Sequence, residues 1–172
     1  LNIFNIEKYP VHGGTIRLYA SENSAGISMN NSLSKWLNSE KKEGLYNLET
    51  YKKLEEKVKK AKKELLEVLR HLKAKGKKIA AYGASAKGNT LLNYCGIDSK
   101  LVSFIADDTP EKQNHFAPGS RIKIVDAGYL ESEKPDYLLL LAWNFAKELM
   151  QKTNKYHKRG MKYIIPIPYV RI

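Results

Sequence analysis

Apolar and polar residues alternate over residues 3–8 and again over 15–20, with Pro10 and the Gly13-Gly14 pair between them. That period of two, broken by turn formers, predicts two strands joined as a hairpin by a connection of about six residues. From 21 to 44 the pattern is lost: Ser and Asn dominate around Trp36 and Leu37, and the stretch reads as linker, not core. From 48 to 75 the period changes. Tyr51, Leu54, Val58, Ala61, Leu65, Leu69 and Leu72 recur at three and four, predicting a helix of about 40 Å that Gly76 is placed to end. Beyond it a strand is predicted over 79–83, a helix over 88–95 closed by Gly96, and a strand over 101–106, together one βαβ unit. A strand at 122–125, a turn of helix after Asp126, a strand at 137–142, a helix at 144–158 and a strand at 163–167 follow. Strands that are apolar throughout are buried on both faces, so the expected class is α/β, a doubly wound parallel sheet with an N-terminal β-hairpin and a long connecting helix. The expected division is 1–20 hairpin, 21–47 linker and 48–172 sheet domain.

Composition adds limits. With 172 residues and 42% hydrophobic content the chain holds one ordinary domain with some surplus. One cysteine, Cys95, excludes an internal disulfide framework and fits a reducing compartment; within an apolar helix it reads as a buried structural thiol. The longest apolar run, 137–143, is too short to span a bilayer, and the start lacks a signal-like block, so no membrane partner and a cytoplasmic location are expected. The chain opens at Leu1 inside a strand, which suggests a piece of a longer polypeptide.

A net charge of +12 raises nucleic acid as a partner, and its distribution decides. Residues 52–78 carry twelve Lys and Arg against four Glu, so most of the excess sits on the long helix. Spacings such as Glu55 to Lys59 and Glu56 to Lys60 favour a solvated face supported by i,i+4 pairs over a nucleic-acid surface.

Ligands of doubly wound sheets sit at the carboxyl ends of the strands, where residues 83–90, 107–113 and 143–144 fall. The first of these is the most informative: an apolar strand runs into Gly83-Ala84-Ser85-Ala86-Lys87-Gly88-Asn89-Thr90, a small-residue turn that opens a helix. Backbone N–H groups at such a turn can approach an anion, and Lys87 supplies a matching charge. The stretch has G-x-x-x-x-G without the following Lys-[Ser/Thr] of a P-loop and without the middle glycine of a dinucleotide fingerprint, so neither an ATPase nor a standard NAD site follows from it.

Taken in order, His12-Gly-Gly-Thr15, the run Tyr82 to Ile97, Asp107-Asp-Thr-Pro-Glu-Lys-Gln113, Pro118-Gly119 and Ala142-Trp-Asn-Phe-Ala-Lys147 resemble the C-terminal domain of sugar C-methyltransferases over essentially the whole chain. The resemblance implies a Rossmann-like domain that helps hold a nucleotide-diphosphate sugar in an enzyme that methylates a carbon of nucleotide-linked keto-deoxysugars. In that family S-adenosylmethionine and a structural zinc belong to the full-length enzyme. The resemblance implies that the zinc cysteines, the cofactor glycine motif and a Tyr-x-Glu-His segment to which the base is assigned lie upstream, in a methyltransferase domain of the same chain. The fragment by itself is then expected to bind neither group and to be inactive, and its hairpin to be the last two strands of the methyltransferase sheet. A carbon beside a ketone becomes nucleophilic once a base removes its proton, while the remote diphosphate positions the sugar.

For that grip the candidates are the backbone of Gly83, Ser85 and Gly88, with Lys87 on phosphate and Asn89 or Thr90 as hydrogen-bonding neighbours. Asp107 or Asp108 either accepts ribose or sugar hydroxyls or caps the turn before Pro110. Lys112 meets phosphate or is a solvated loop lysine. Trp143 and Asn144 contact ligand, or serve as core and helix cap. His12 lines the sugar pocket or is exposed. A stand-alone nucleotide-binding or regulatory module without catalysis is the competing reading, and the unpaired edges of an orphaned hairpin make a homodimer a further expectation.

Overall fold

The computed structural model describes residues 1–11, 13–28 and 30–172, which form two compact units, Leu1–Lys57 and Val58–Ile172. In the first, strands β1 (Asn2–Tyr9) and β2 (Thr15–Ser21) pair antiparallel with Ile6 opposite Leu18 and Lys8 opposite Ile16, and the register slips between Ile3 and Asn5. Residues opposite one another share a face. Ile6, Ile16 and Leu18 therefore lie together, and Glu7, Tyr9, Arg17 and Tyr19 occupy the other side, where the Glu7 carboxylate accepts hydrogen bonds from both tyrosine hydroxyls (2.5 and 2.8 Å).

Within the stretch that reads as linker, the structure forms a helix, α1 (Asn31–Lys42). Asn30 caps it by accepting from Ser32 N at 3.1 Å. The start of α1 closes the outer edge of β1: Asn30 N donates to Phe4 O (2.8 Å), and Ile6 N to Ser32 Oγ (3.1 Å). No residue of α1 is buried; Leu33, Trp36 and Leu37 recur at helical spacing, but three apolar positions set among Ser, Asn and Lys make a short pattern within a polar stretch.

Helix α2 (Leu48–Ala74) matches the predicted span, and its buried residues are confined to Leu65, Leu66, Leu69 and Leu72. The second unit is a five-stranded parallel sheet of β3 (Ile79–Tyr82), β4 (Ile105–Asp107), β5 (Ile124–Asp126), β6 (Tyr137–Leu140) and β7 (Lys162–Ile164), ordered β5-β4-β3-β6-β7. Leu65, Leu69, Leu92, Leu139 and Leu141 pack on one face, and Tyr82, Phe104, Leu130, Leu138 and Leu140 on the other. Successive β6 residues alternate between two apolar cores, which is why 137–142 reads as one continuous apolar run. The expected α/β doubly wound sheet with its hairpin and long helix is the observed fold. Replacing the fully buried Leu69 by alanine is expected to cost about 2–5 kcal/mol through lost transfer energy and a cavity, read as a lower urea midpoint with unchanged slope.

Two local departures have physical causes. Helix α3 (Ala86–Cys95) starts two residues early because Ser85 caps it. The helix expected over 144–158 is broken into a 3-10 turn, Trp143–Phe145, and two helices, α5 (Ala146–Lys152) and α6 (Asn154–His157). Thr153, buried between them, donates to Leu149 O at 2.6 Å and meets the Tyr163 hydroxyl at 2.9 Å. The remaining helix is α4 (Tyr129–Glu133). Among the described residues no helix is long and apolar enough to cross a membrane.

Candidate functional site

The chain leaves β3 for β4 and β5 on one side and returns to β6 and β7 on the other, so the strand order reverses between β3 and β6. The carboxyl ends of the strands at such a reversal frame a ligand crevice. Gly83 follows β3 with φ of 88°, a conformation that other residues adopt at a cost, and a Cβ there would lie 3.1 Å from Ala142 Cβ across the reversal. Ser85 then caps α3, its hydroxyl accepting from Gly88 N (3.1 Å) and donating to Leu141 O (3.3 Å). A Cβ on Gly88 would stand 2.6 Å from Leu141 Cβ and 3.1 Å from its carbonyl oxygen, so only glycine lets α3 sit this close to the end of β6. Lys87 is exposed in the first turn.

Asp107 holds this turn from the end of β4. Its buried carboxylate accepts from Ala84 N (2.6 Å) and Thr109 N (2.9 Å), with Lys112 Nζ at 3.5 Å. Burial pushes its pKa up, but the Thr109 and Ala84 hydrogen bonds and the Lys112 charge outweigh it and hold the carboxyl below its ordinary 3.8. Asp108 points its bonds the other way, accepting from the Tyr82 hydroxyl (2.8 Å) and pairing with Lys152 Nζ (2.5 Å). Burial, reinforced by Asp108, raises the Tyr82 phenol, so it stays a neutral donor. The Tyr82–Asp108–Lys152 chain carried no sequence signal, since its members lie on three separate segments.

Between α3 and the strand ends lies a cavity of about 280 Å³. Asn89 and Leu92 of α3, Ile105 and Ile124 of the strands, and Lys112 and Phe116 of the segment 111–118 line it. That segment folds back on itself, with Phe116 bridged antiparallel to Lys123 and Ala117 N donating to Ile122 O (2.9 Å). Asn93 on α3 donates from Nδ2 to Pro118 O (3.0 Å), tying the frame together. The Asn89 Oδ1 atom is buried with no hydrogen-bond partner.

Of the residues expected from sequence, Ser85, Asn89 and Lys112 line this cavity, and Gly83 and Gly88 shape the turn beside it. Thr90 donates to Ala86 O (3.1 Å) on an exposed side of α3, and Trp143 and Asn144, partly buried after β6, do not line the cavity. Phe145, not Asn144, is the N-cap residue of α5. His12 falls outside the described residues. Cys95 is buried, which raises its thiol pKa. The sequence reading missed His115 and Phe116; an aromatic between turn formers in a polar stretch was the available signal.

The family model described as the C-methyltransferase C-terminal domain matches residues 10–168. Over its full length the chain is 33% identical to C-methyltransferase NovU of Streptomyces niveus, and it covers 41% of that protein.

Proposed function

Because the chain belongs to the C-methyltransferase C-terminal domain family, we propose that it is the substrate-holding part of a longer S-adenosylmethionine-dependent enzyme that methylates a carbon of a nucleotide-linked keto-deoxysugar. The observation that carries this reading is the turn at Gly83 to Gly88, pressed against Leu141 and Ala142 where the strand order reverses, with the start of α3 and Lys87 beside it. In it the diphosphate rests on the backbone of the first turn of α3, where N–H groups and the helix dipole favour an anion, and Lys87 adds charge. Asp107 acts one step back, fixing the Ala84 peptide rather than touching ligand.

S-adenosylmethionine supplies the methyl group, and its site and the structural zinc are assigned to other parts of the longer polypeptide. Among the described residues no three of His, Cys, Asp and Glu come together, and Cys95 is a buried thiol with a raised pKa. The location in this reading is the cytoplasm.

Calorimetric titration of the chain with dTDP is expected to show saturable binding that weakens about tenfold in Lys87→Ala, the size of one charge-assisted phosphate contact. NAD is expected not to bind. Saturation by NAD, or dTDP binding indifferent to Lys87, would favour a dinucleotide-sensing module instead.

A further inference from the structure

We propose that Tyr82, Asp108 and Lys152 form a positioning chain that sets the turn at 83–88 from the opposite face of the sheet, so that anion affinity at the turn depends on Lys152 although Lys152 does not touch the ligand. The proposal rests on the nucleotide-site reading above and concerns how that site is held.

Two carboxylates that follow one another at the end of β4 grip the end of β3 on its two sides. Asp107 accepts from Ala84 N (2.6 Å), in the peptide that follows Gly83, and Asp108 accepts from the hydroxyl of Tyr82 (2.8 Å), the residue before Gly83. The two grips share a piece of backbone, because Thr109 N, which donates to Asp107 Oδ1 (2.9 Å), belongs to the peptide joining Asp108 to Thr109. A displacement of Asp108 is therefore passed to the Asp107 carboxylate and from there to Ala84. Oδ2 of Asp108 takes both the Tyr82 hydroxyl and Lys152 Nζ (2.5 Å). Lys152 reaches it from the last turn of α5, on the face where Tyr82 packs with Leu149 and Met150, whereas Leu92 of α3 packs on the other face.

Exposure assigns the chain to orientation more than to stability. The Lys152 and Asp108 side chains are 53% and 48% exposed, and an ion pair so open to water adds little to folding. Tyr82 is buried, so its hydroxyl has one fixed direction and needs an acceptor there. Asp108 supplies that acceptor, and Lys152 holds Asp108 in the rotamer that reaches it.

Titration of Tyr82→Phe, Lys152→Met, Lys152→Arg and the Tyr82→Phe, Lys152→Met double variant with dTDP tests this. Each of the first two is expected to weaken dTDP about fivefold, within the range for mutations along a hydrogen-bonded network coupled to a site. The double variant should lose no more than either alone, since both changes break the same chain. Lys152→Arg keeps the charge and should restore the affinity. The Ala84 backbone amide resonance should shift in Tyr82→Phe and in Lys152→Met before any ligand is added, as its bond to Asp107 is displaced. Leu130→Ala, which opens a cavity on the same face away from the chain, should lower the melting temperature and leave the affinity unchanged, separating position from stability. If Lys152→Met weakens dTDP and Tyr82→Phe does not, Lys152 touches the anion itself and the positioning chain is overturned. Unchanged affinity in both variants, additive losses in the double variant or an unmoved Ala84 amide also overturns it, while binding that depends on Lys87 leaves the phosphate reading standing. If the wild-type chain does not bind dTDP, the nucleotide-site reading falls and the chain's role with it.

Discussion

Asp107→Ala is expected to lower the stability of the Val58–Ile172 unit by about 3 kcal/mol, the largest loss from any single polar substitution in it. Alanine leaves Ala84 N and Thr109 N without their acceptor at a buried position. Each abandoned donor costs about 1–3 kcal/mol, against a typical total of about 5–15 kcal/mol for a domain. The Asp107→Asn variant keeps one acceptor oxygen and turns an N–H₂ toward the other donor, so its loss should be intermediate.

The pH dependence gives the same claim a second reading. The folded-state pKa of Asp107 is depressed below 3.8, so its carboxylate contributes stability that is fully present above the unfolded value and is lost as pH falls through the folded one. The gap between wild type and Asp107→Asn should therefore be widest near neutrality and shrink below pH of about 4. Asp136, Glu131 and Glu133 are lowered too, so the difference between the two proteins, not the wild-type curve, isolates Asp107. Urea midpoints for both at neutral and acid pH check it; a gap that stays constant would mean that the carboxylate charge does not hold the turn.

Gly88→Val is the second large effect. An ordinary helix gains about 1 kcal/mol when glycine becomes alanine. Here the new Cβ would enter at 2.6 Å from Leu141 Cβ, an atom fixed to the backbone whose own N–H is bonded to Tyr82 O at 3.0 Å. Overpacking of this kind costs about 1–3 kcal/mol, and moving α3 away also weakens the Ser85 cap, worth about 1 kcal/mol. Alanine is thus expected to be mildly destabilising despite its propensity, and valine, with two further methyls and a β-branch, to cost about 3 kcal/mol or more. Thermal melts of both variants check the order. A rise in melting temperature for Gly88→Ala would show that α3 has room to shift. Because the same displacement moves the first turn of α3 from the reversal point, dTDP binding should weaken in step.

Part of the site was legible before any coordinates. Gly83 and the small residues after it announced a close approach of backbone to something, and Ser85 and Gly96 fall at the two ends of α3. The partners were not legible. That Gly88 faces Leu141, far along the chain, depends on β6 lying next to β3, and no local pattern states which strand is the neighbour. Asp107 was open between ligand and turn; geometry gives it both Ala84 and Thr109 as donors. α1 was missed because its apolar positions, Leu33, Trp36 and Leu37, are only three and stand among Ser, Asn and Lys, so the polar composition outweighed their helical spacing.

The sequence by itself determined the alternation of strands and helices, the hairpin, the long helix and the place of the small-residue turn. These follow from short-range forces, backbone sterics and the partition of side chains between core and water, which repeat at two or 3.6 residues. The tertiary structure alone decided the β5-β4-β3-β6-β7 order, the reversal beside Gly83, the division of Asp107 and Asp108 between two sides of the sheet, and the cavity that Asn89 lines. Those depend on contacts between segments far apart in the chain, each chosen because the other faces are already filled, and such choices leave no periodic trace in either segment.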